Sequence, residues 1–423
     1  MKSSAPLPSL KLVDRALRAT TERLAHECAS PLSAPPQWDD LHWCVAQAAA
    51  AMHGVSPLLR RTLRWGGPRA WQDFLEDQRQ QTLYRHRRIV ELVSQLHLRA
   101  QAARIAAVAL KGVALHELGV YAPGTRPMAD VDLLVAARDA AAGSVLLGAM
   151  GYEERYSTWR ERTFEPSRAV AAALGLGEHA ENAIKIELHT RVAERLPVRE
   201  AVITELLLPP PTAFGVNPYG SLAALMTHLL LHAAGNMRSR SLRLIQLNDI
   251  AALAARLDSR DWQWVLERER SVRGGWSFPP LALTACYYPG AIPAAVLHGA
   301  YTACSGLLRS VSIRQRLSDV SLSRLWMQLC PGIEWCGSVA EALNYVRARA
   351  FPSREARAAV QMCDSTQLWA VHSPWTRLSR TRRIARWMVR RPPRAATMWP
   401  VHAAWEQVGM RAPRGPAVPE RRT

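Results

Sequence analysis

Apolar residues along the first ninety positions recur mostly at helical spacing, so residues 1–90 read as an N-terminal helical region. A loop is expected at Pro31-Leu32-Ser33-Ala34-Pro35-Pro36. A helix is expected to start near Asp39 and run through an alanine-rich stretch to Met52. Trp65-Gly66-Gly67 marks a second break, after which Trp71 to Leu75 opens a further helical segment. From Arg85 to Ala106, the positions Ile89, Leu92, Val93, Leu96 and Leu98 largely fit one apolar face of an amphipathic helix.

The period then changes from helical to alternating. Ile105 to Leu110 is a short apolar run closed by Lys111-Gly112 and followed by Val113 to Leu118, which reads as strand, glycine turn and helix. A loop from Tyr121 to Pro127 precedes a strand over Asp130–Val135. A helix over Asp139–Met150 and a strand around Tyr152 to Thr158 follow. Ile184 to His189 alternates cleanly and predicts another strand. The expected class is α+β, with a small mixed-sheet core over residues 91–200 flanked by N- and C-terminal helical regions. After Pro209-Pro210-Pro211 the helical pattern returns, giving a helical domain over 201–370 broken near Pro331-Gly332 and Pro352.

Composition narrows this picture. The 423 residues are 48% apolar, enough to bury substantial cores and too apolar for a disordered chain. The formal charge of +19 is almost all arginine, since Lys2, Lys11, Lys111 and Lys185 are the only lysines. Such a charge favours anionic partners but names none. It concentrates in an Arg/Pro-rich basic tail over 371–423, with twelve arginines against Glu406 and Glu420. A short basic helix from Thr381 to Arg390 is expected there. Arg382, Arg383, Arg386, Arg390 and Arg391, with Trp387, could contact nucleic-acid phosphate or an anionic membrane; a solvated tail is the other reading, and no base-reading module is present. Seven scattered cysteines without a Cys-x-x-Cys pair argue against a zinc ribbon or a disulfide scaffold and suit a reducing cytoplasm. No apolar stretch with a cleavage site follows Lys2, so no secretion signal is expected. Residues between Arg273 and Arg309 carry no formal charge, but Pro279, Pro280, Pro289, Gly290 and Pro293 divide them. They read as buried helices joined by a turn rather than a transmembrane segment.

The candidate chemistry lies in the alternating region. Side chains two apart on a strand share a face, so Asp130 and Asp132 point together while Val131 points away. Paired carboxylates repel unless protons, cations or hydrogen bonds compensate, and hard cations such as Mg²⁺ take oxygen ligands of this kind. A two-metal arrangement would serve phosphoryl chemistry. Glu187 can share the Asp face from a neighbouring strand, flanked by Lys185 and His189, although a solvated strand edge gives the same pattern. At Gly112 the missing side chain would let a phosphate approach backbone N–H groups, or would simply make the turn. Lys111 would add positive charge to that approach or stand exposed at a strand end. Arg126 suits either clamping a phosphate or holding its loop by pairing with an acid. His228 and His232 are four apart and could combine with Asp249 as metal ligands. Without a complete ligand set, a structural reading is preferred, with a hydrogen bond from His228 and with Arg243 and Asp249 tying helices to the core.

The strings Leu110-Lys111-Gly112-Val113-Ala114-Leu115 and Arg126-Pro127-Met128-Ala129-Asp130-Val131-Asp132-Leu133-Leu134-Val135 resemble an uncharacterised nucleotidyltransferase family within the polymerase-beta-like superfamily. Glu187-Leu188-His189, His228 and Leu242 to Ile250 extend the resemblance over roughly residues 85 to 270. It implies a bacterial origin and a small mixed sheet whose paired aspartates bind Mg²⁺. It also implies transfer of a nucleoside monophosphate from an NTP to a hydroxyl or phosphate acceptor. Asp130, Asp132 and Glu187 would be the catalytic and metal-binding residues; Lys111, Gly112 and Arg126 would lie on the phosphate side. The acceptor class is open: small molecule, sugar, peptide or protein. In the wider superfamily a Gly or Ser commonly follows the turn glycine, whereas Val113 stands here, and the interval from Gly112 to Asp130 is long. Two alternatives are a non-catalytic nucleotide- or partner-binding protein on the same scaffold and a phosphotransferase.

Overall fold

The computed structural model describes residues 7–168, 175–272, 275–322, 330, 332–353, 379, 381–382, 385 and 395–411. Of the tail residues singled out above, Arg383, Arg386, Arg390, Arg391 and Trp387 lie outside the described residues, and so does most of the expected 381–390 helix.

Three helices open the chain: α1 (Leu10–Ala29), α2 (Asp40–Met52) and α3 (Ser56–Thr62). Asp39 caps α2 by accepting the His42 N–H at 2.9 Å, satisfying a donor that the first helical turn leaves free. The segments anticipated separately from Trp71 and from Arg85 form one 34-residue helix, α4 (Arg69–Ala102). No glycine or proline interrupts that stretch, so nothing stops propagation. The helix continues without a break through residue 90 and buries Ile89, Val93, Leu96 and Ala100 along one side.

The strands and helices that follow are β1 (Ala106–Ala109), α5 (Gly112–Glu117), β2 (Asp130–Val135), α6 (Ala140–Ala149), β3 (Tyr152–Ser157) and β4 (Glu161–Pro166). Then come β5 (Lys185–His189), β6 (Ala193–Leu196), β7 (Arg199–Val202), α7 (Thr204–Leu207) and β8 (Gly215–Asn217). Six strands form a mixed sheet in the order β3-β4-β5-β2-β1-β8, while β6 and β7 make a separate hairpin. The β2–β5 and β1–β8 pairs are parallel and the remaining pairs antiparallel. The expected α+β class is thus the one the chain adopts.

Alternation divides the sheet between two cores. Val131, Leu133 and Val135 of β2, with Ile186 and Leu188 of β5, pack against Ile89, Val93 and Leu96 of α4 and Leu147 of α6. Burying a side chain such as Ile186, fully covered here, stabilises by about 1.5–3 kcal/mol. The other parity, Val108 of β1 and Leu134 of β2, joins the larger core. That core is built from α1, α2, α8 (Leu222–Ser239), α9 (Leu244–Ala254), α10 (Ser259–Val272) and α11 (Phe278–Tyr287). Leu17, Val45, Leu230, Leu247, Val265 and Leu281 meet in it, so helices from both ends of the chain close over one side of the sheet. Val401, on the helix Ala395–Arg411, belongs to the same core. The uncharged segment folds as α11, a turn and α12 (Ala294–Ala303). Among the described residues no helix is long and apolar enough to cross a membrane.

Candidate functional site

The parallel register of β2 and β5 sets Asp132 opposite Glu187 and Asp130 opposite Lys185. The entry to both strands is fixed by Arg85, buried on α4. Its guanidinium donates to the Ala129 carbonyl at 3.0 Å and the Asn182 carbonyl at 2.7 Å, and it pairs with Glu178 at 3.2 Å. One planar fork therefore holds the two segments that deliver Asp130 and Glu187. Asp130, Asp132 and Glu187 line a cavity of about 470 Å³ between the sheet and the helical side, with Lys111, Gly112 and Arg126 also in its wall. Lys185, which strand parity placed beside Glu187, does not line it; its ammonium pairs with Glu165 on β4 at 2.6 Å.

Asp132 is the electrostatic centre. Lys111 Nζ lies 3.2 Å from its Oδ1, and His189 Nε2 lies 2.9 Å from the same oxygen. His189 Nε2 is 3.6 Å from Glu187, and its Nδ1 is 3.4 Å from Glu161. Burial works against ionisation of Asp132, but Lys111 and the His189 hydrogen bond outweigh it and hold the carboxyl well below its usual range. Burial likewise opposes protonation of His189, yet its bonds to Asp132 and Glu187 push the ring up to about 9. Asp130 goes the other way. Burial and the charges of Asp132 and Glu187 push it up to about 7, against the attraction of Lys111 and Arg243.

Among the described residues, the group placed to hold a divalent cation is Asp132, Glu187 and His189; Asp130 lines the same cavity but is not in that group. Ligand atoms of Asp132, Glu187 and His189 all lie within 4.8 Å of one another. The crowding that raises Asp130 is what a bound cation relieves. Oxygen donors suit a hard ion, whereas a protonated His189 donates hydrogen bonds and is no ligand until it loses its proton.

The glycine turn is built differently from a simple phosphate cradle. Lys111 itself has φ of +49°, a conformation a non-glycine residue adopts at a cost of order 1–3 kcal/mol. Its N–H donates to the Tyr219 hydroxyl at 3.2 Å, and that hydroxyl is 2.7 Å from His228 Nδ1. A Cβ on Gly112 would come within 2.5 Å of an Arg126 guanidinium nitrogen and 3.1 Å of Met128. Glycine is thus required to admit Arg126. The helix behind it, α5, has only six residues.

Arg126 performs the second of the two tasks proposed for it. It forks onto Asp249 of α9 through two 2.8 Å bonds, and the Tyr121 hydroxyl reaches the same carboxylate at 2.8 Å. This buried pair anchors the loop before β2 to the helical side. His228 and His232 also line the cavity, and burial, then the charge of Lys111, lowers the proton affinity of both. His232 contacts Asn236 at 3.1 Å and lies 3.7 Å from Glu194. Residues not singled out in the sequence also shape the cavity. Arg160 bridges Glu161 and Glu194 at 3.1 Å each, and Glu161 opens a strand whose charged sequence gave no alternation signal.

The family model described as an uncharacterised nucleotidyltransferase matches residues 39–278, more than half of the chain. The match runs from α2 to the start of α11 and so contains the whole sheet and every residue named around the cavity. No curated protein and no solved structure matches the chain. The mixed sheet, the carboxylates opposed across β2 and β5 and the extent of that match agree, and the chain belongs to the uncharacterised nucleotidyltransferase family of the polymerase-beta-like superfamily.

Proposed function

We propose that the protein transfers a nucleoside monophosphate from an NTP to a hydroxyl or phosphate oxygen of a second substrate. The observation that carries this reading is the grouping of Asp130, Asp132 and Glu187 in one cavity wall, with Asp132 directly across from Glu187. In the reaction the acceptor oxygen bonds to the α-phosphorus, the bond to pyrophosphate breaks, and the acceptor proton leaves with solvent or a carboxylate. Asp130, Asp132 and Glu187 would hold Mg²⁺, which when bound supplies charge to the phosphate oxygens and the leaving group. Glu187, partly exposed, can also receive the acceptor proton. Lys111 holds Asp132 ionised and adds positive charge on the phosphate side. Arg126 and Gly112 support this as a wall of fixed shape.

The test is calorimetric titration of ATP, CTP, GTP and UTP with Mg²⁺ into the native chain and into a double Asp130→Ala, Asp132→Ala variant shown to be folded. At least one NTP should bind the native chain alone, and mass spectrometry of candidate acceptors should then find an added nucleoside monophosphate with pyrophosphate released. An added phosphate would instead identify a phosphotransferase. NTP binding without turnover would favour a nucleotide-binding scaffold, a reading that the two cationic partners already on Asp132 make concrete.

A further inference from the structure

Five lysine and arginine side chains line the cavity: Lys111, Arg126, Arg160, Arg191 and Arg243. Four have carboxylate partners. Lys111 pairs with Asp132, Arg126 with Asp249, Arg160 with Glu161 and Glu194, and Arg191 with Glu200. Among the described residues Arg243 makes no ion pair, although its side chain is held in place. Its Nε donates to the Met52 carbonyl at 3.0 Å, and its backbone N–H donates to the Gln246 side chain at 2.9 Å at the start of α9. Gly54, at φ +68°, leaves the room this side chain fills; a Cβ there would come within 2.7 Å of an Arg243 terminal nitrogen.

Arg243 is therefore an exposed cation with its stem fixed, set on the helical wall of a cavity whose sheet wall carries the carboxylates. A ligand that brings a divalent cation to the carboxylates and presents an anionic oxygen to the opposite wall would satisfy both sides. Guanidinium suits phosphate because its planar fork donates to two oxygens at once.

We infer that Arg243 is the phosphate-binding cation of this site, a role for which Arg126, already committed to Asp249, is unavailable. The inference rests on the proposed nucleotide chemistry and specifies its phosphate contact. The phosphate could belong to the NTP donor or to a phosphorylated acceptor, and the two sources separate experimentally.

Native chain, Arg243→Ala and Arg243→Lys are titrated with each NTP, with inorganic pyrophosphate and with inorganic phosphate in Mg²⁺, after thermal unfolding shows that each variant is folded. Loss of one charge-assisted fork predicts roughly ten- to a hundredfold weaker binding for Arg243→Ala, with partial recovery in Arg243→Lys, which keeps the charge and the best chance of a native fold. Weakening of NTP and pyrophosphate places the donor's phosphates at Arg243. Weakening of inorganic phosphate alone assigns an acceptor phosphate. If the native chain binds no NTP but binds pyrophosphate in an Arg243-dependent way, the nucleotide reading fails and the phosphate site stands. Equal affinities in native chain and Arg243→Ala, or no anion bound by the native chain, overturn the inference.

Discussion

The two faces of the central sheet are built from the same strands and solve different problems. Toward α4 and α6, Val131, Leu133, Ile186 and Leu188 belong to one buried apolar cluster. Any well-fitting hydrocarbon satisfies them. Toward the helical side, Asp132, Glu187 and His189 alternate with those residues and require counter-charges at particular points. The partners of Asp132 come from other elements: Lys111 from 21 residues away and His189 from 57, while the loop before β2 is held by the Arg126–Asp249 pair across 123. The apolar face is thus specified by local pattern, while the polar face is specified by tertiary placement.

The sharpest way to break that contrast is a charge on the wrong parity. Val131 is fully buried, so Val131→Asp should leave the chain unable to fold, seen as loss of the cooperative unfolding transition. Removing one partner of the buried Arg126–Asp249 pair comes next. Arg126→Ala leaves the Asp249 carboxylate without its cation and should cost about 3–5 kcal/mol in urea unfolding, whereas Arg126→Met with Asp249→Leu should recover most of it. A smaller, pH-dependent effect belongs to His53 behind Arg243, which accepts the Leu244 N–H at 3.1 Å. Burial, aided by the charge of Arg243, pushes His53 from 6.5 down to about 3. The unfolded chain therefore binds a proton that the folded chain refuses. The stabilisation is complete above about pH 6.5 and is lost as pH falls from there toward 3, so the urea midpoint should drop more steeply in the native chain than in His53→Gln. Last, Lys185→Ala removes a half-exposed pair outside the cavity and should change stability by less than about 1 kcal/mol, with phosphate and nucleotide affinity unchanged.

How much of this was legible in the sequence follows the same division. Strand β2 has the bounds expected for Asp130 to Val135, although it is buried on both faces from Val131 on, and β5 lies within Ile184 to His189, where Ile186 and Leu188 are buried and Lys185 and Glu187 less so. Strand β4 was not legible: Glu161-Arg162-Thr163-Phe164-Glu165-Pro166 is mostly polar and ends in proline, and it is a strand because β3 and β5 flank it. The three-residue β8 and the β6–β7 hairpin are too short to carry a period. At the site, parity predicted the shared face of Asp130 and Asp132, and the register of β2 against β5 then put Glu187 beside them. Parity also grouped Lys185 with Glu187, but the salt bridge to Glu165 draws Lys185 away. The choice between two tasks for Arg126 could not be made from spacing, since its partner lies on a helix from the other half of the chain.

The central claim is that the polar face holds a divalent cation through its carboxylates. The most direct measurement is Mn²⁺ binding followed by electron paramagnetic resonance, with and without NTP, in the native chain and in folded Asp132→Asn. Binding to the native chain should be saturable and displaced by Mg²⁺, and the variant should lose it. Equal binding by both chains, or no binding by the native chain even with NTP, would contradict it.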